Sequence, residues 1–275
     1  MNAELDTWLT ARSINPVLQR LAQRKPVLAL GVRSSRTGDI ARYAQACGHH
    51  AIWVDLEHSS MSIDTAAQIC STALDLGLVG FVRVPEREYG VIGRLLDGGA
   101  LGIIAPRIET AAQAADLVAA CRFPPLGHRS AIGSLPQLGF RKVAAAQLYG
   151  AMNRATALKV LIESPLGVEN AEAIASTPGV DIVGMGTNDL CAELGVPGEY
   201  KHPRVRDAHE HVLAACARAG KPLAIGGIPD NAYSADLIQH GAAPFLMTGI
   251  DSDILLAALH ERARQSLASS PSISS

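Results

Sequence analysis

Two carboxylates occupy matching places in residues 159–189. An apolar run, Lys159 to Ile162, ends on Glu163. A helix-like segment follows, then a second apolar run, residues 181–185, then Gly186-Thr187-Asn188 and Asp189. Strands that each deliver an acid at or just beyond their carboxyl ends, side by side in a parallel barrel, aim both acids at one mouth. Two hard oxygen ligands with no neighbouring Cys or His suit Mg²⁺ or Mn²⁺ better than Zn²⁺. Other polar groups fall at comparable positions: Asp55 and His58 after the run HAIWVD, and Arg83 at the end of GFVRV. A cation, a guanidinium and an imidazole around one cavity can stabilise an enolate. The ion polarises a carbonyl, the arginine holds the developing oxyanion, and the histidine moves a proton, worth on the order of 10²–10⁴-fold.

Each of these residues has a plainer reading when taken alone. Acids at strand ends cap helices, His58 is a loop histidine, Asp55 a buried structural carboxylate, and Arg83 a partner for Glu86 or Glu109. Their convergence at several strand ends is what favours chemistry.

Eight short apolar runs supply those ends. They cover residues 26–31, 50–55, 80–84, 102–106, the runs before Glu163 and Asp189, 222–227 and 244–248. Helical patterns alternate with them at 39–46, 62–76 (capped by Ser62, with Asp64 in the first turn), 89–96, 111–121, 205–219, 231–240 and 252–267. Strands without in/out alternation fit a parallel sheet covered on its outer face. Eight βα units in 275 residues predict a (β/α)₈ barrel filling residues 1–268. No G-x-G-x-x-G follows the first strand, which argues against a doubly wound dinucleotide fold. Residues 5–21 have helical spacing interrupted at Pro16, a leading helix pair that closes one end of the barrel. From 122 to about 148, Pro124, Pro125, Gly127, Gly133, Pro136 and Gly139 break the pattern around Arg129. A loop of this length reads as functional or as a lid. The Ser-rich tail, 269–275, reads as disordered.

Composition narrows the classes. Hydrophobic residues are 48% but aromatics only 4%, so Ala, Val, Leu and Ile must fill the core. A net charge of −2 and the lack of a Lys/Arg cluster argue against nucleic acid or anionic membrane as partner. Cys47, Cys70, Cys121, Cys191 and Cys216 are odd in number and without C-x-x-C spacing, which reads as free thiols in a reducing cytosol. With no secretory pattern and no run of about 20 apolar residues, the expectation is a soluble, cytoplasmic protein.

Six short motifs in one order carry a resemblance: D-L-E-H at 55–58, V-R-V-P at 82–85, A-P-R-I-E-T at 105–110, F-P-P-L-G-H-R at 123–129, L-I-E-S at 161–164 and G-T-N-D-L at 186–190. Together they resemble the HpcH/HpaI aldolases, metal-dependent class II pyruvate aldolases, over roughly residues 27–259. The resemblance implies a (β/α)₈ barrel whose last helix is exchanged with a neighbouring subunit, in a homo-oligomer that is often a hexamer of three dimers. It implies Glu163 and Asp189 as ligands of Mg²⁺, Mn²⁺ or Co²⁺, with pyruvate chelating the ion and its carboxylate received by amides around Asn188 and Asp189. Arg83 matches the arginine on the keto or enolate oxygen, His58 the general base, and Asp97 the acid that pairs with this histidine. Asp55 matches a carboxylate on the metal's waters, and Arg129 a lid arginine where acceptor ends are read.

Three positions depart from the family pattern. Leu161 stands where many members have Gln, Thr187 replaces the metal-loop proline, and Ser130 rather than Gly follows Arg129. The implied activity is reversible cleavage of a 4-hydroxy-2-oxo acid to pyruvate and an aldehyde. Decarboxylation of oxaloacetate or a related 2-oxo diacid would use the same enolate. A non-catalytic 2-oxo-acid-binding barrel is the reading from another class, and Leu161 keeps it open.

Overall fold

The computed structural model of the chain describes residues 3–269. It opens with helices α1 (Ala3–Arg12) and α2 (Pro16–Ala22), the second capped by Asn15 with Pro16 in its first turn. The first half of the barrel then runs β1 (Val27–Val32), α3 (Asp39–Ala46), β2 (Ala51–Asp55), α4 (Ile63–Asp75), β3 (Val79–Arg83), α5 (Ile92–Asp97) and β4 (Gly102–Ala105). After α6 (Ala111–Cys121) and α7 (Ala145–Ala155) come β5 (Ala157–Ile162), the short helices α8 (Pro165–Glu169) and α9 (Ala171–Ala175), and β6 (Ile182–Gly186). The chain ends with α10 (Thr187–Glu193), α11 (Pro203–Arg218), β7 (Leu223–Gly226), α12 (Asn231–Gln239), β8 (Phe245–Ile250) and α13 (Asp251–Ser269).

All eight strands are parallel, in the order β7-β6-β5-β4-β3-β2-β1-β8. The result is a (β/α)₈ barrel left open between β7 and β8, where the Ala243 amide donates to the Leu223 carbonyl (2.7 Å) across the seam. The expected strands, and most of the expected helices, lie within one or two residues of those observed, as cap and fraying ambiguity allows; the helix expected from 89 opens with a 3₁₀ turn, Tyr89–Val91, and becomes α-helical at Ile92. Ser62 caps α4 by accepting from the Thr65 amide (3.1 Å).

Few aromatics fill the interior, and glycines make room for them. A Cβ at Gly102 would lie 2.2 Å from the Phe81 ring, and one at Gly31 2.7 Å from Trp53. Large residues on one strand thus face glycine on the next, and fully burying a side chain such as Phe81 is worth roughly 1.5–3 kcal/mol. The other apolar layer lies between barrel and helices, built from residues such as Ile52, Ile69, Leu95, Ile103 and Val160.

The leading helices close the amino end as expected: the Asn15 amide group donates to the carbonyls of Leu101 (3.1 Å) and Ala155 (2.7 Å), just ahead of β4 and β5. The segment after α6 does not form a lid over the mouth. Helices antiparallel to the strands end at the amino side, so the chain leaves α6 at the barrel's base. There Gln137 Nε2 donates to the carbonyls of Leu96 (2.6 Å) and Ala100 (3.0 Å), and Leu135 and Leu138 plug the core. Its last part is α7, whose apolar face (Leu148, Ala151, Met152, Ala155) is buried.

Among the described residues no helix is long and apolar enough to cross a membrane. The five cysteines are free. Helix α13 buries none of its side chains and exposes Ile254, Leu255, Leu256 and Leu259. Ser269 ends that helix, and the rest of the expected tail, 270–275, lies outside the described residues.

Candidate active site

Glu163 follows β5 on its inward-facing series Lys159, Leu161, Glu163, and Asp189 lies in the first turn of α10 just beyond β6. The β5–β6 register pairs Ile162 with Met185, which sets Glu163 beside Gly186. A Cβ at Gly186 would lie 2.1 Å from Glu163 Oε1, so only glycine leaves the carboxylate its place. Gly186→Ala should therefore displace the Glu163 carboxylate. The expected result is at least tenfold weaker binding of Mn²⁺, read by titration, with the circular dichroism spectrum unchanged.

Glu163 is 4% exposed, and its Oε2 accepts from the Arg107 amide (2.9 Å). Arg107 adopts φ 50°, a left-handed conformation uncommon for a non-glycine residue, which turns the amide inward. Burial, with the charges of Asp189 and Glu57 adding to it, pushes the Glu163 carboxyl up to about 7. Both acids line one cavity of about 250 Å³ with His58, Arg83 and Asn188.

A buried carboxylate held beside two other acids is a ready partner for a hard cation. Among the described residues no three His, Cys, Asp or Glu side chains are gathered closely enough to hold a metal ion by themselves. The donor set still fits Mg²⁺ or Mn²⁺, which keep water and substrate oxygens and take one or two carboxylates from the protein.

Arg83 ends β3 opposite Asp55 in the ladder. It donates to both Asp55 oxygens, from Nε (3.0 Å) and Nη2 (2.7 Å), and its Nη1 lies 3.0 Å from Glu57 Oε2. Asp55 is fully buried and also accepts from Arg33 (2.9 and 3.0 Å) and the amides of Glu57 and His58 (both 3.1 Å). Burial would raise its carboxyl, but Arg83, Arg33 and the His58 amide hold it below the usual carboxylate range. Asp55 is thus a fixed anchor under two arginines, behind the residues that line the cavity.

His58 stands at the rim, its side chain 52% exposed, with Nε2 3.7 Å from Glu57 Oε2. Glu57 thus links Arg83 to His58.

Asp97 and Arg129 are not at this mouth. Asp97 ends α5 at the barrel's amino side, and within the chain it makes no pair with His58. Its partner is Arg129, whose Nη2 donates to Oδ1 at 2.6 Å. Arg129 is 5% exposed and stacks over Phe123 at 4.4 Å; burial lowers its guanidinium while Asp97 opposes the shift. The physical cause is the placement of the 122–144 segment at the base.

Thr187, where the resemblance leads one to expect proline, is fully buried. Its hydroxyl lies 3.1 Å from His209 Nε2, and His209 Nδ1 lies 2.9 Å from the Tyr233 hydroxyl. Burial lowers His209 to about 4, so a neutral imidazole ties the turn bearing Asn188 and Asp189 to α11 and α12. His209 is itself fully buried.

Sequence reasoning missed two cavity residues, Lys159 and Trp53. Both are 5% exposed. Lys159 Nζ lies 4.5 Å over the Phe245 ring, and burial, with Arg83 adding to it, lowers the amine to about 8. Period-two counting back from Glu163 places Lys159 on the inner face, a signal that its sequence neighbours obscured.

The model of the HpcH/HpaI aldolase/citrate lyase family matches residues 33–258. The chain belongs to that family. It is 40% identical over 221 residues to 4-hydroxy-4-methyl-2-oxoglutarate aldolase of Chaetomium globosum, covering 80% of this chain and 82% of that one. Identity to 5-keto-4-deoxy-D-glucarate aldolase of Klebsiella pneumoniae is 35% over 210 residues, 76% and 80% of the two chains. Among solved structures, an HpcH/HpaI aldolase from Desulfitobacterium hafniense superposes with a TM-score of 0.85 at 27% identity, over 95% of this chain and all of the other. Membership makes the protein a carbon–carbon lyase.

Proposed function

We propose that this lyase cleaves a 4-hydroxy-2-oxo acid to pyruvate and a carbonyl compound, and runs the reverse addition, in one barrel spanning residues 1–268. The observation that carries the reading is the joint placement of Glu163, Asp189, Arg83 and His58 around a single small cavity. The names of the relatives, aldolases of 2-oxo acids, agree with it.

Glu163 and Asp189 would hold a divalent cation, Mg²⁺, Mn²⁺ or Co²⁺, which supplies Lewis-acid polarisation of the 2-oxo group. Arg83, clamped by Asp55 and Glu57, presents its guanidinium to the oxygen that gains charge when the C3–C4 bond breaks. His58 at the rim takes the proton from the 4-hydroxyl as that bond cleaves, and Glu57 beside it favours the imidazolium that results. The amides of the first turn of α10, around Asn188 and Asp189, receive the pyruvate carboxylate.

His58→Ala should lower kcat for pyruvate release by about 10²–10⁴-fold. Calorimetry should show Mn²⁺ and pyruvate still binding. An intact kcat would remove His58 from the reaction, and a wild type without turnover on any 4-hydroxy-2-oxo acid tried with Mg²⁺, Mn²⁺ or Co²⁺ would sink the whole reading.

The exposed leucines of α13 support a homo-oligomer in which that helix covers a neighbouring barrel, in the family's trimer-of-dimers hexamer. Asp97 and Arg129, at the far end of their own barrel, would then serve a mouth only across a subunit contact. The free thiols are those of a cytoplasmic enzyme.

A further inference from the structure

The floor of the cavity carries polar hydrogens that no described residue accepts. Trp53 Nε1 is buried with no hydrogen-bond partner. Lys159 Nζ meets only the face of Phe245, and among the described residues it has no hydrogen-bond or ion-pair partner. A buried ammonium without an anion is costly unless something fills its coordination. Lys159 would be replaced easily by a leucine if it served packing alone, since its neighbours on the inner face, Leu161 and Phe245, are apolar. Gly184, on the adjacent strand, leaves it room: a Cβ there would lie 2.6 Å from Lys159 Cε.

The cavity is continuous from Asp189 and Asn188 at the rim to Lys159, Trp53 and Phe245 at depth. Four residues of strand separate Glu163 from Lys159, about 13 Å between their Cα atoms. The lysine stem shortens that gap, for a Cβ at Gly184 would lie 2.4 Å from Leu161 Cδ2 and 2.6 Å from Lys159 Cε, so the stem rises to the level of Leu161. A small acid held at the two carboxylates can therefore extend downward past Leu161. Within the chain the other cation proposed for an acceptor end, Arg129, is committed to Asp97 at the base.

We infer that Lys159 and Trp53 form an anion subsite for a second carboxylate, so that the substrate is a 2-oxo diacid whose distal carboxylate reaches the barrel interior. Nζ and Nε1–H donate to the carboxylate oxygens, and the buried Phe245 ring shields the pair from water, which strengthens it. The inference rests on the reading of the rim as a 2-oxo-acid site.

The test compares pyruvate with 2-oxoglutarate as non-cleaved probes, bound to the Mn²⁺-loaded protein and followed by calorimetry. Wild type should bind 2-oxoglutarate more tightly. In Lys159→Met the ratio of the two dissociation constants should shift against 2-oxoglutarate by about tenfold or more, the scale of a lost charge-assisted hydrogen bond. Lys159→Gln, which keeps one donor, should lie between, and Trp53→Phe should shift the ratio the same way by less. Equal weakening of both probes would overturn the inference by placing Lys159 at the shared 2-oxo-acid end. A borohydride-stable pyruvate adduct on Lys159, seen by mass spectrometry, would overturn it too, because the amine would then be a nucleophile. Failure of wild type to bind pyruvate at all would instead strike the reading of the rim.

Discussion

Glu163→Gln should lower kcat/KM for pyruvate release by about 10³-fold, since Lewis-acid polarisation is worth several kcal/mol and each 1.36 kcal/mol is tenfold. The same change should stabilise the metal-free protein. In the fold burial lifts the Glu163 carboxyl from 4.5 to about 7, so the folded state binds its proton more tightly than the unfolded chain does. Stability from this group is complete below pH 4.5 and is lost as pH rises through 7. The loss amounts to about 3 kcal/mol on the pKa scale, an upper figure because the buried site relaxes. Glutamine keeps an acceptor for the Arg107 amide and removes the charge. Thermal melts of metal-free protein at pH 8 should rise by several degrees in the variant, and the difference should vanish near pH 4. A lower melting temperature at pH 8 would show that the carboxylate is satisfied by the fold itself.

Arg83→Ala should damage both stability and turnover. Asp55 is fully buried and takes two hydrogen bonds from this guanidinium. Removing one partner of a buried pair typically costs about 3–5 kcal/mol, and Arg33 remains on Asp55, which places this case near the lower end. Loss of the oxyanion donor adds about 10²–10³-fold in kcat. Arg83→Lys separates the two effects. An ammonium restores charge but not the fork that grips both Asp55 oxygens, so most of the stability should return in denaturant unfolding while kcat stays low. Full activity in the lysine variant would mean that only charge matters here.

The barrel could be read from the sequence because each of its strands is a short apolar run closed by a polar residue or a turn. The same feature exposed Glu163, Asp189, Arg83 and His58. Asp97 and Arg129 lie at the base of their own barrel for a topological reason. Their motifs lie in the right order along the chain, but α5 and α6 run back to the amino side, and spacing does not report at which end of a barrel a loop emerges. Asp55 was read from its residue type and its place after a strand, while its task depends on the guanidinium groups it meets. Lys159 was hidden because an apolar run containing one lysine reads as a strand with one solvated position, and only closure of the barrel turns that position inward.

The central claim is that two acids from successive βα units share a divalent cation. It is tested most directly by titrating metal-free protein with Mn²⁺ and counting free ion by electron paramagnetic resonance. Wild type should bind one ion per chain, and both Glu163→Gln and Asp189→Asn should weaken that binding by at least about a hundredfold, roughly the scale of losing a charged ligand. Unchanged Mn²⁺ affinity in either variant would contradict the account.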